Sequence, residues 1–401
     1  MLLSTHLWRQ PMPRNVDDLS RALVAFEQGS TLAVVVELSQ SSWLVAGLVP
    51  GLDRQPLKKL DPSGPDLLAL VHRWRDEAVR AGAVIKRIVL AFEAGRDGFW
   101  LARWLIKRGI EAHVIHAASV AVSREHRRAK TDRLDTQLLM RGLLGWLRGE
   151  AGHCKMAAVP TLEEEDDRRP GREREALVAE RTRLVNRARS VLARFGIASF
   201  KPTLRKAVEK LAGLRTPDDE ALPAHTLGEL TRVLERLALI KAQIGALEAA
   251  RLEPAAPTPA QAQARVMQAA MARMIGVGLE TAELLTQELF RRALRDRRAV
   301  ARFAGLTGSP DESGARRRER GLARAGCARV RRGMIQLAWR FLRFQKNSEL
   351  ALWFHSRAQG ASAKQRKVLI VALARKLLLA LWRLATTGQV PEGVRLRPAA
   401  A

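Results

Sequence analysis

Three short apolar runs, separated by segments with helical spacing, constrain the fold of this chain most strongly. The runs cover residues 31–36, 88–92 and 112–115. Each has the length of a buried strand and is too short to be a helix of ordinary length. Between and around them, residues 66–81 and 97–108 place apolar side chains at helical spacing. Strands that alternate with helices predict an α/β domain over residues 31–155.

Acidic residues follow two of these strands and begin a later helix. Glu37 ends the first strand, Glu93 ends a second, and Asp132 and Asp135 lie in the hexapeptide Lys-Thr-Asp-Arg-Leu-Asp at 130–135. Residues three apart on a helix share a face, so the hexapeptide fits a metal site and a solvated helix face equally well. Singly, Glu37 and Glu93 favour surface charges at strand ends. The ordered set of four resembles the metal site of a ribonuclease H-like fold, and hard oxygen ligands suit Mg²⁺ or Mn²⁺.

The net charge of +28 over 401 residues predicts a polyanionic partner. Nucleic acid is favoured over a membrane, because residues 1–15 lack the apolar core of a signal peptide and the apolar stretch 368–382 is broken by Arg375 and Lys376. The two cysteines give neither a disulfide framework nor zinc-ligand spacing. We expect a cytoplasmic, nucleoid-associated protein with no membrane partner.

The middle of the chain has a different pattern. Between residues 227 and 247 apolar side chains alternate at spacings of three and four, which predicts a coiled coil or a long helical hairpin. We therefore expect a helical coiled-coil arm over residues 160–252, whose acidic start at 161–167 is typical of a solvated helix terminus. A Pro/Ala-rich segment at 253–262 predicts a linker, followed by an all-helical, basic domain at 263–390.

Two motifs in this last domain suggest phosphate chemistry. Gly276-Val277-Gly278, between helical segments, fits either a helix-hairpin-helix element that approaches a phosphate or a plain tight turn. Ser313 lies between glycine-rich turns and an arginine cluster, which fits a serine nucleophile or a loop in which the serine only donates a hydrogen bond. The cluster consists of Arg316, Arg317, Arg318, Arg320, Arg324, Arg329, Arg331 and Arg332.

Five motifs in this order resemble the DEDD transposases of bacterial insertion sequences, the insertion-sequence 110 family. They are the strand-end acid before Ser39–Trp43, the segment 92–99, the hexapeptide at 130–135, Ile-Gly-Val-Gly-x-x-Thr-Ala at 275–282, and Gly305–Gly314 leading to Gly321 and Gly326. The resemblance spans about residues 32–387. It implies a RuvC-like (ribonuclease H-like) N-terminal domain, a coiled coil and a C-terminal transposase domain.

The resemblance also implies roles for single residues and partners. It implies that Glu93, Asp132 and Asp135 are metal ligands, with Glu37 in the position where the family usually has Asp. It implies that Ser313 is the nucleophile, with Ser309 as the second candidate. It further implies donor and target DNA as substrates, a bridge RNA as a partner, and a dimer or tetramer. We expect nucleic-acid contacts from Gly276, Gly278, Arg316, Arg317, Arg318, Arg320 and Arg324.

Two competing hypotheses remain at this point. A RuvC-like structure-selective endonuclease would hydrolyse DNA with two metals and an activated water, and would not need the serine domain. An inactive, nucleic-acid-binding remnant of a transposase is favoured only by Glu37 in place of Asp.

Overall fold

A computed structural model describes residues 19, 21–95, 98–120, 131–150, 152–251, 258–292, 294–314, 316–323 and 325–398. The chain divides into two compact units, Met12–Glu163 and a second that contains Glu164–Ala401. Within the described residues, no helix is both long and apolar enough to cross a membrane.

The N-terminal unit is an α/β domain, as the alternating pattern predicts. Its strands are β1 (Thr31–Leu38), β2 (Trp43–Leu48), β3 (Leu57–Leu60), β4 (Arg87–Glu93), β5 (Glu111–Ile115) and β6 (Met156–Ala157). Its helices are α1 (Gly64–Arg80), α2 (Trp100–Ile106), a 3₁₀ turn (Ala117–Ser119) and α3 (Asp132–Leu147). The expected helix at 97–108 is thus shorter, and Asp97 lies outside the described residues.

One six-stranded sheet, in the order β3-β2-β1-β4-β5-β6, organises this unit. Strand β1 pairs antiparallel with β2 and parallel with β4, and β4 pairs parallel with β5. The β1–β2 connection is closed by Ser39, whose Oγ accepts from the Ser42 backbone N–H and donates to the Ser42 carbonyl. Because residues 32–36 of β1 are fully buried, this strand forms the centre of the domain.

The two faces of the sheet are covered by different helices. Alternate residues such as Val34 and Val36 pack with α1 and α2, whereas Ala33 and Val35 pack with α3. Successive side chains of a strand point to opposite faces, so each strand supplies both cores. The arrangement is a three-layer sandwich, which fixes the side of the sheet on which each strand-end acid lies.

The arm is an antiparallel pair of long helices, α5 (Arg169–Ala193) and α7 (Ala224–Ala250). The short helices α4 (Leu162–Asp166) and α6 (Ala207–Ala212) flank α5. Ion pairs join Arg174 to Glu248 near one end of the pair and Arg187 to Glu229 nearer the other, which sets the antiparallel direction. The three-four stripe of α7 faces α5 in a helical hairpin. The buried residues of α7 are Leu230, Val233, Leu234, Leu237, Ile240 and Ile244.

The C-terminal part of the second unit begins at α8 (Pro259–Ala272), inside the expected linker. The Thr258 hydroxyl accepts from the Gln261 N–H, and the Gln261 side chain accepts from the Thr258 N–H. Pro259 lies in the first turn, where a backbone N–H would have no partner within the helix, so the missing N–H of proline costs nothing. The remaining helices are α9 (Leu279–Leu285), a π-helical turn (Thr286–Phe290), α10 (Arg297–Phe303), α11 (Ala328–Phe344), α12 (Glu349–Ala358) and α13 (Ala363–Thr387). They enclose a single apolar core.

This domain is not all-helical, and that expectation was wrong. Strands β7 (Gly308–Ser313) and β8 (Arg316–Leu322) form a two-stranded antiparallel sheet. The segment cannot continue a helix, because it contains Gly308, Pro310 and Gly314, and it carries no apolar stripe. Pro310 lies at an irregularity of the ladder, which a residue without an N–H tolerates.

A buried carboxylate joins the arm to the C-terminal domain. Glu288, in the π-helical turn, is 3% exposed. It accepts from Nε and Nη2 of Arg172 on α5, at 3.1 and 3.2 Å, and from Nη1 of Arg329 on α11, at 2.9 Å. Burial alone raises the pKa of Glu288, but the hydrogen bonds and charges of Arg172 and Arg329 outweigh burial and hold this pKa below its usual value.

Further ion pairs surround this contact. Glu175 of the arm accepts from Arg329 and from Arg332 of α11. Asp167, the last acid of the run at 161–167, lies 2.6 Å from Nη1 of Arg291 and also accepts from the Gln261 amide. The acidic run therefore begins a helix as expected, and its last residue additionally binds the arm to the C-terminal core.

Replacing Glu288 with Gln should weaken this junction by about 2 kcal/mol, because two guanidinium groups lose charge-assisted acceptors. The measurement is the free energy of local opening from hydrogen exchange of peptides in α5 and the π-helical turn. The matched control is Glu229→Gln, which removes the exposed pair with Arg187 and should cost less than about 1 kcal/mol. An equal loss of opening free energy in the two variants would contradict the prediction, because the buried ion pair would then contribute no more than the exposed one.

Candidate active site

Glu37 and Glu93 lie at the same edge of the sheet. Strands β1 and β4 are parallel, and their register pairs Val36 with Phe92, the residues immediately before the two acids. Val36 and Phe92 point into the core under α1 and α2. By alternation, Glu37 and Glu93 belong to the opposite face, which α3 covers. The parallel register therefore brings the ends of β1 and β4 to one edge of the sheet.

Residues 131–135 of the hexapeptide form the beginning of α3, and Lys130 lies outside the described residues. Thr131 is the N-cap, and its Oγ1 accepts from the Leu134 N–H. Asp132 is the first helical residue and is exposed, and Asp135 lies in the same turn and is half-buried. Acids in a first turn are stabilised by the helix dipole, so this placement needs no metal to be tolerated.

All four predicted carboxylates therefore belong to the α3 side of one sheet. Their donor chemistry, oxygen only and without His or Cys, suits Mg²⁺ or Mn²⁺. Their side chains do not converge, however: among the described residues, no group of three or more His, Cys, Asp or Glu side chains is arranged to hold a metal ion. Because Glu93 and Asp132 are both exposed, rotation of their side chains meets little steric resistance.

Ser313 lies at the tip of the β7–β8 hairpin. It is exposed, and the register of the sheet places it directly opposite Arg316. Gly314 follows with φ of +55°, a left-handed conformation that glycine adopts without strain. The second candidate, Ser309, lies near the base of β7 and is half-buried. Of the two hydroxyls, that of Ser313 is the more open to a large substrate.

The rest of the hairpin register alternates acid with base. The backbone register sets Asp311 opposite Arg318 and Glu312 opposite Arg317. Arg316, Arg317, Arg318 and Arg320 thus all belong to β8, whereas Arg324 lies outside the described residues. The arginine cluster predicted from the sequence therefore has two parts. Arg329 and Arg332 form ion pairs with Glu175 of the arm, whereas the arginines of β8 belong to the hairpin.

Two glycines let the chain cross itself at the base of the hairpin. A side chain at Gly326, where φ is +90°, would collide with the Phe303 and Arg302 carbonyls, and one at Gly305 would collide with the Ala325 carbonyl. The Cys327 N–H donates to the Phe303 carbonyl across this crossing. The spacing of Gly305 and Gly326, noticed in the sequence as part of a motif, therefore has a packing cause.

The turn Gly276-Val277-Gly278 connects α8 to α9. Gly276 has φ of +98°, and an added Cβ would lie 3.2 Å from the Phe344 Cβ. Gly278 is the N-cap of α9. Close packing against α11 thus accounts for Gly276, and its contact with nucleic acid remains a prediction. No sequence pattern pointed to Gln345, whose buried amide donates to the Ile275 carbonyl in this turn.

Comparison with known proteins identifies the chain. The pattern of the family described as Transposase IS116/IS110/IS902 matches residues 268–352, from α8 through the hairpin to α12. A protein of Sinorhizobium fredii (strain NBRC 101917 / NGR234) that is named as a transposase, y4rJ, is 41% identical over 374 residues, which cover 91% of this chain and 94% of the relative. The chain therefore belongs to the IS116/IS110/IS902 family of transposases.

Proposed function

We propose that this protein cuts and rejoins DNA strands during transposition of an insertion sequence, through a covalent link to Ser313. Membership of a transposase family supports DNA transposition in general. The observation that carries the finer proposal is the exposed Ser313 hydroxyl at a hairpin tip, opposite Arg316 and on a sheet whose second strand is rich in arginine.

In the proposed reaction, the Ser313 oxygen attacks a backbone phosphorus, and the bond from phosphorus to the 3′ oxygen breaks. The serine proton passes to solvent, and the leaving 3′ oxygen takes up a proton. A 5′-phosphoserine and a free 3′-OH result. A second 3′-OH then attacks the phosphoserine and releases the serine, so the strand is resealed without hydrolysis. Guanidinium groups on β8 would neutralise charge at the phosphorus.

The N-terminal unit would contribute a RuvC-like acidic site. Its strand order, with an antiparallel β3-β2-β1 edge beside parallel β4 and β5, is compatible with a ribonuclease H-like domain. Glu37, Glu93, Asp132 and Asp135 would hold Mg²⁺ or Mn²⁺, which when bound supplies positive charge against the phosphate oxygens. At position 37, Glu gives one methylene more reach than Asp.

Two other functions are weaker. A metal-dependent RuvC-like endonuclease would leave free 5′-phosphate ends and no protein adduct, and it gives the hairpin no task. An inactive remnant would bind nucleic acid with normal salt dependence but transfer no strand. The 41% identity to a transposase over most of the chain supports transposition over either alternative.

The proposed partners are donor and target DNA, a bridge RNA and further copies of this chain. In such a system base pairing reads sequence, while the protein recognises backbone and shape. The charge of +28 fits this division of labour.

The Ser313→Ala variant should bind DNA and form no covalent adduct, because the alanine side chain has no oxygen to attack. The measurement is retention of end-labelled DNA on the denatured protein. Ser309→Ala is the discriminating partner variant, because it leaves the Ser313 hydroxyl in place. An adduct that persists in Ser313→Ala and disappears in Ser309→Ala would transfer the role to Ser309. No adduct in any active protein, with free 5′-phosphate products, would favour the endonuclease.

The Asp132→Asn variant should lose Mg²⁺-dependent cleavage by at least about 100-fold, because a neutral amide is a poor ligand for a hard cation. A second readout is the rise in melting temperature on addition of Mn²⁺, which should shrink in the variant. Asp66→Asn is the matched control, since Asp66 is an exposed acid in the first turn of α1 and its loss changes only the local helix dipole. Cleavage that is equal in the two variants would remove Asp132 from the site.

RNA dependence is testable with the protein as purified from cells that carry the whole insertion sequence. We expect a structured RNA from the noncoding DNA beside the reading frame to copurify, and ribonuclease treatment to abolish strand exchange. Strand exchange that is unchanged after complete ribonuclease digestion would refute the bridge RNA and leave the Ser313 proposal intact.

A further inference from the structure

A cavity of about 470 Å³ lies beside the turn between α8 and α9, on the C-terminal domain. It is lined by Ile275, Arg343, Phe344, Gln345, Lys346, Asn347, Gly393 and Arg395. Three chain segments meet there: the α8–α9 turn, the loop after α11 and the tail that follows α13. The lining contains three cations and no carboxylate.

A buried glutamine holds these three segments together. Gln345 is 1% exposed, and its Nε2 donates to the Ile275 carbonyl at 2.6 Å and to the Arg395 carbonyl at 2.9 Å. Its Oε1 accepts from the Arg395 N–H at 2.8 Å. Gly393, with φ of +69°, allows the tail to pass close to the Asn347 carbonyl. The cavity is therefore a formed feature of the fold rather than a gap between loose side chains.

The three cations lack structural partners of the kind seen at the arm junction. The ion pairs of the described residues do not include Arg343, Lys346 or Arg395, and Arg343 instead lies 5.8 Å from the centre of the Phe344 ring. Glu349 and Glu392 belong to the flanking segments but do not line the cavity. The C-terminal end of α11 adds about half a negative charge, which three full positive charges exceed.

We propose that this cavity binds a backbone phosphodiester of nucleic acid. Converging Arg and Lys side chains are the usual contacts of backbone phosphates, and they carry no sequence information. Phe344, which is 44% exposed, and Ile275 form an apolar wall against which an adjoining sugar or base can pack. The inference depends on the proposed function only in taking nucleic acid as the partner, and it needs no strand cutting.

This site gives the glycine motif a different part in recognition. Gly276 does not itself need to present an N–H to phosphate, because its lack of a side chain lets Phe344 pack close to the turn and form one wall of the cavity. The contact to phosphate is made by Arg343, Lys346 and Arg395, which are 67 or more residues beyond Gly276 in the sequence.

The test compares two triple variants that remove the same charge. The cavity variant replaces the three basic residues that line the cavity: Arg343→Gln/Lys346→Gln/Arg395→Gln. The α13 variant replaces three exposed basic residues at the start of α13, outside the cavity: Lys364→Gln/Arg366→Gln/Lys367→Gln. The measurement is binding of labelled 30-mer single-stranded DNA, duplex DNA and RNA by fluorescence anisotropy, as a function of salt concentration and in a Ser313→Ala background that prevents chemistry.

Each lost phosphate contact reduces the slope of log affinity against log salt by about 0.9 for duplex DNA and about 0.7 for single strands. We expect the cavity variant to lose about one to two contacts and roughly tenfold in affinity near physiological salt, with a smaller change in the α13 variant. Loss with DNA or with RNA supports the shared chemistry and tells which strand the cavity holds.

Equal losses in the two variants would overturn the proposal, because the effect would then come from net charge alone. The proposal would also be overturned if the cavity variant lost affinity for polyglutamate by the same factor as for nucleic acid, because the cavity would then bind anions in general. If the triple variant does not fold, as judged by circular dichroism, the double variants Arg343→Gln/Lys346→Gln and Lys364→Gln/Arg366→Gln make the same comparison.

Discussion

The contact between Glu288 and the guanidinium groups of Arg172 and Arg329 is the interaction on which the second unit depends. A carboxylate that is 3% exposed is costly to bury, and it is tolerated because both of its oxygens accept charge-assisted hydrogen bonds. The π-helical turn from Thr286 to Phe290 carries Glu288 in this inward position. Since Arg172 belongs to the arm and Arg329 to the first turn of α11, one side chain joins three elements.

That contact also bears on the candidate nucleophile. Strand β8 leads into α11, and the start of α11 is fixed from both sides: Arg329 binds Glu288 and Glu175, and the Cys327 N–H binds the Phe303 carbonyl at the hairpin base. The hairpin that carries Ser313 therefore rises from a base that is tied to the arm. Arginine suits such junctions because one planar side chain can donate to two carboxylates at once, as that of Arg329 does.

Local patterns in the sequence predicted much of the N-terminal unit and the arm. Strands β1, β4 and β5, the start of α3 within the hexapeptide, and the seam of α7 follow from apolar periodicity. The four acids were correctly assigned to strand ends and one helix turn, but spacing alone does not fix side-chain rotamers, so their separation was not predictable.

The β7–β8 hairpin was missed because its residues, mostly Arg, Asp, Glu, Gly and Ser, have low strand propensity. The glycine crossing at its base is a relation between residues about twenty positions apart, which local patterns do not show. Glu288 was missed for the same reason, since its partners lie 116 and 41 residues away.

The hairpin itself limits how the proposed reaction can be organised. Two strands without a third neighbour are only marginally stable in water, and β7 and β8 form a sheet of their own. Its base is anchored, whereas Ser313 at its tip is exposed. An exposed serine hydroxyl is a weak nucleophile while it remains in water. In the proposed mechanism, binding of a DNA phosphate by the arginine-rich hairpin would bring the phosphorus to this hydroxyl. Reaction at Ser313 would then begin only once nucleic acid is bound.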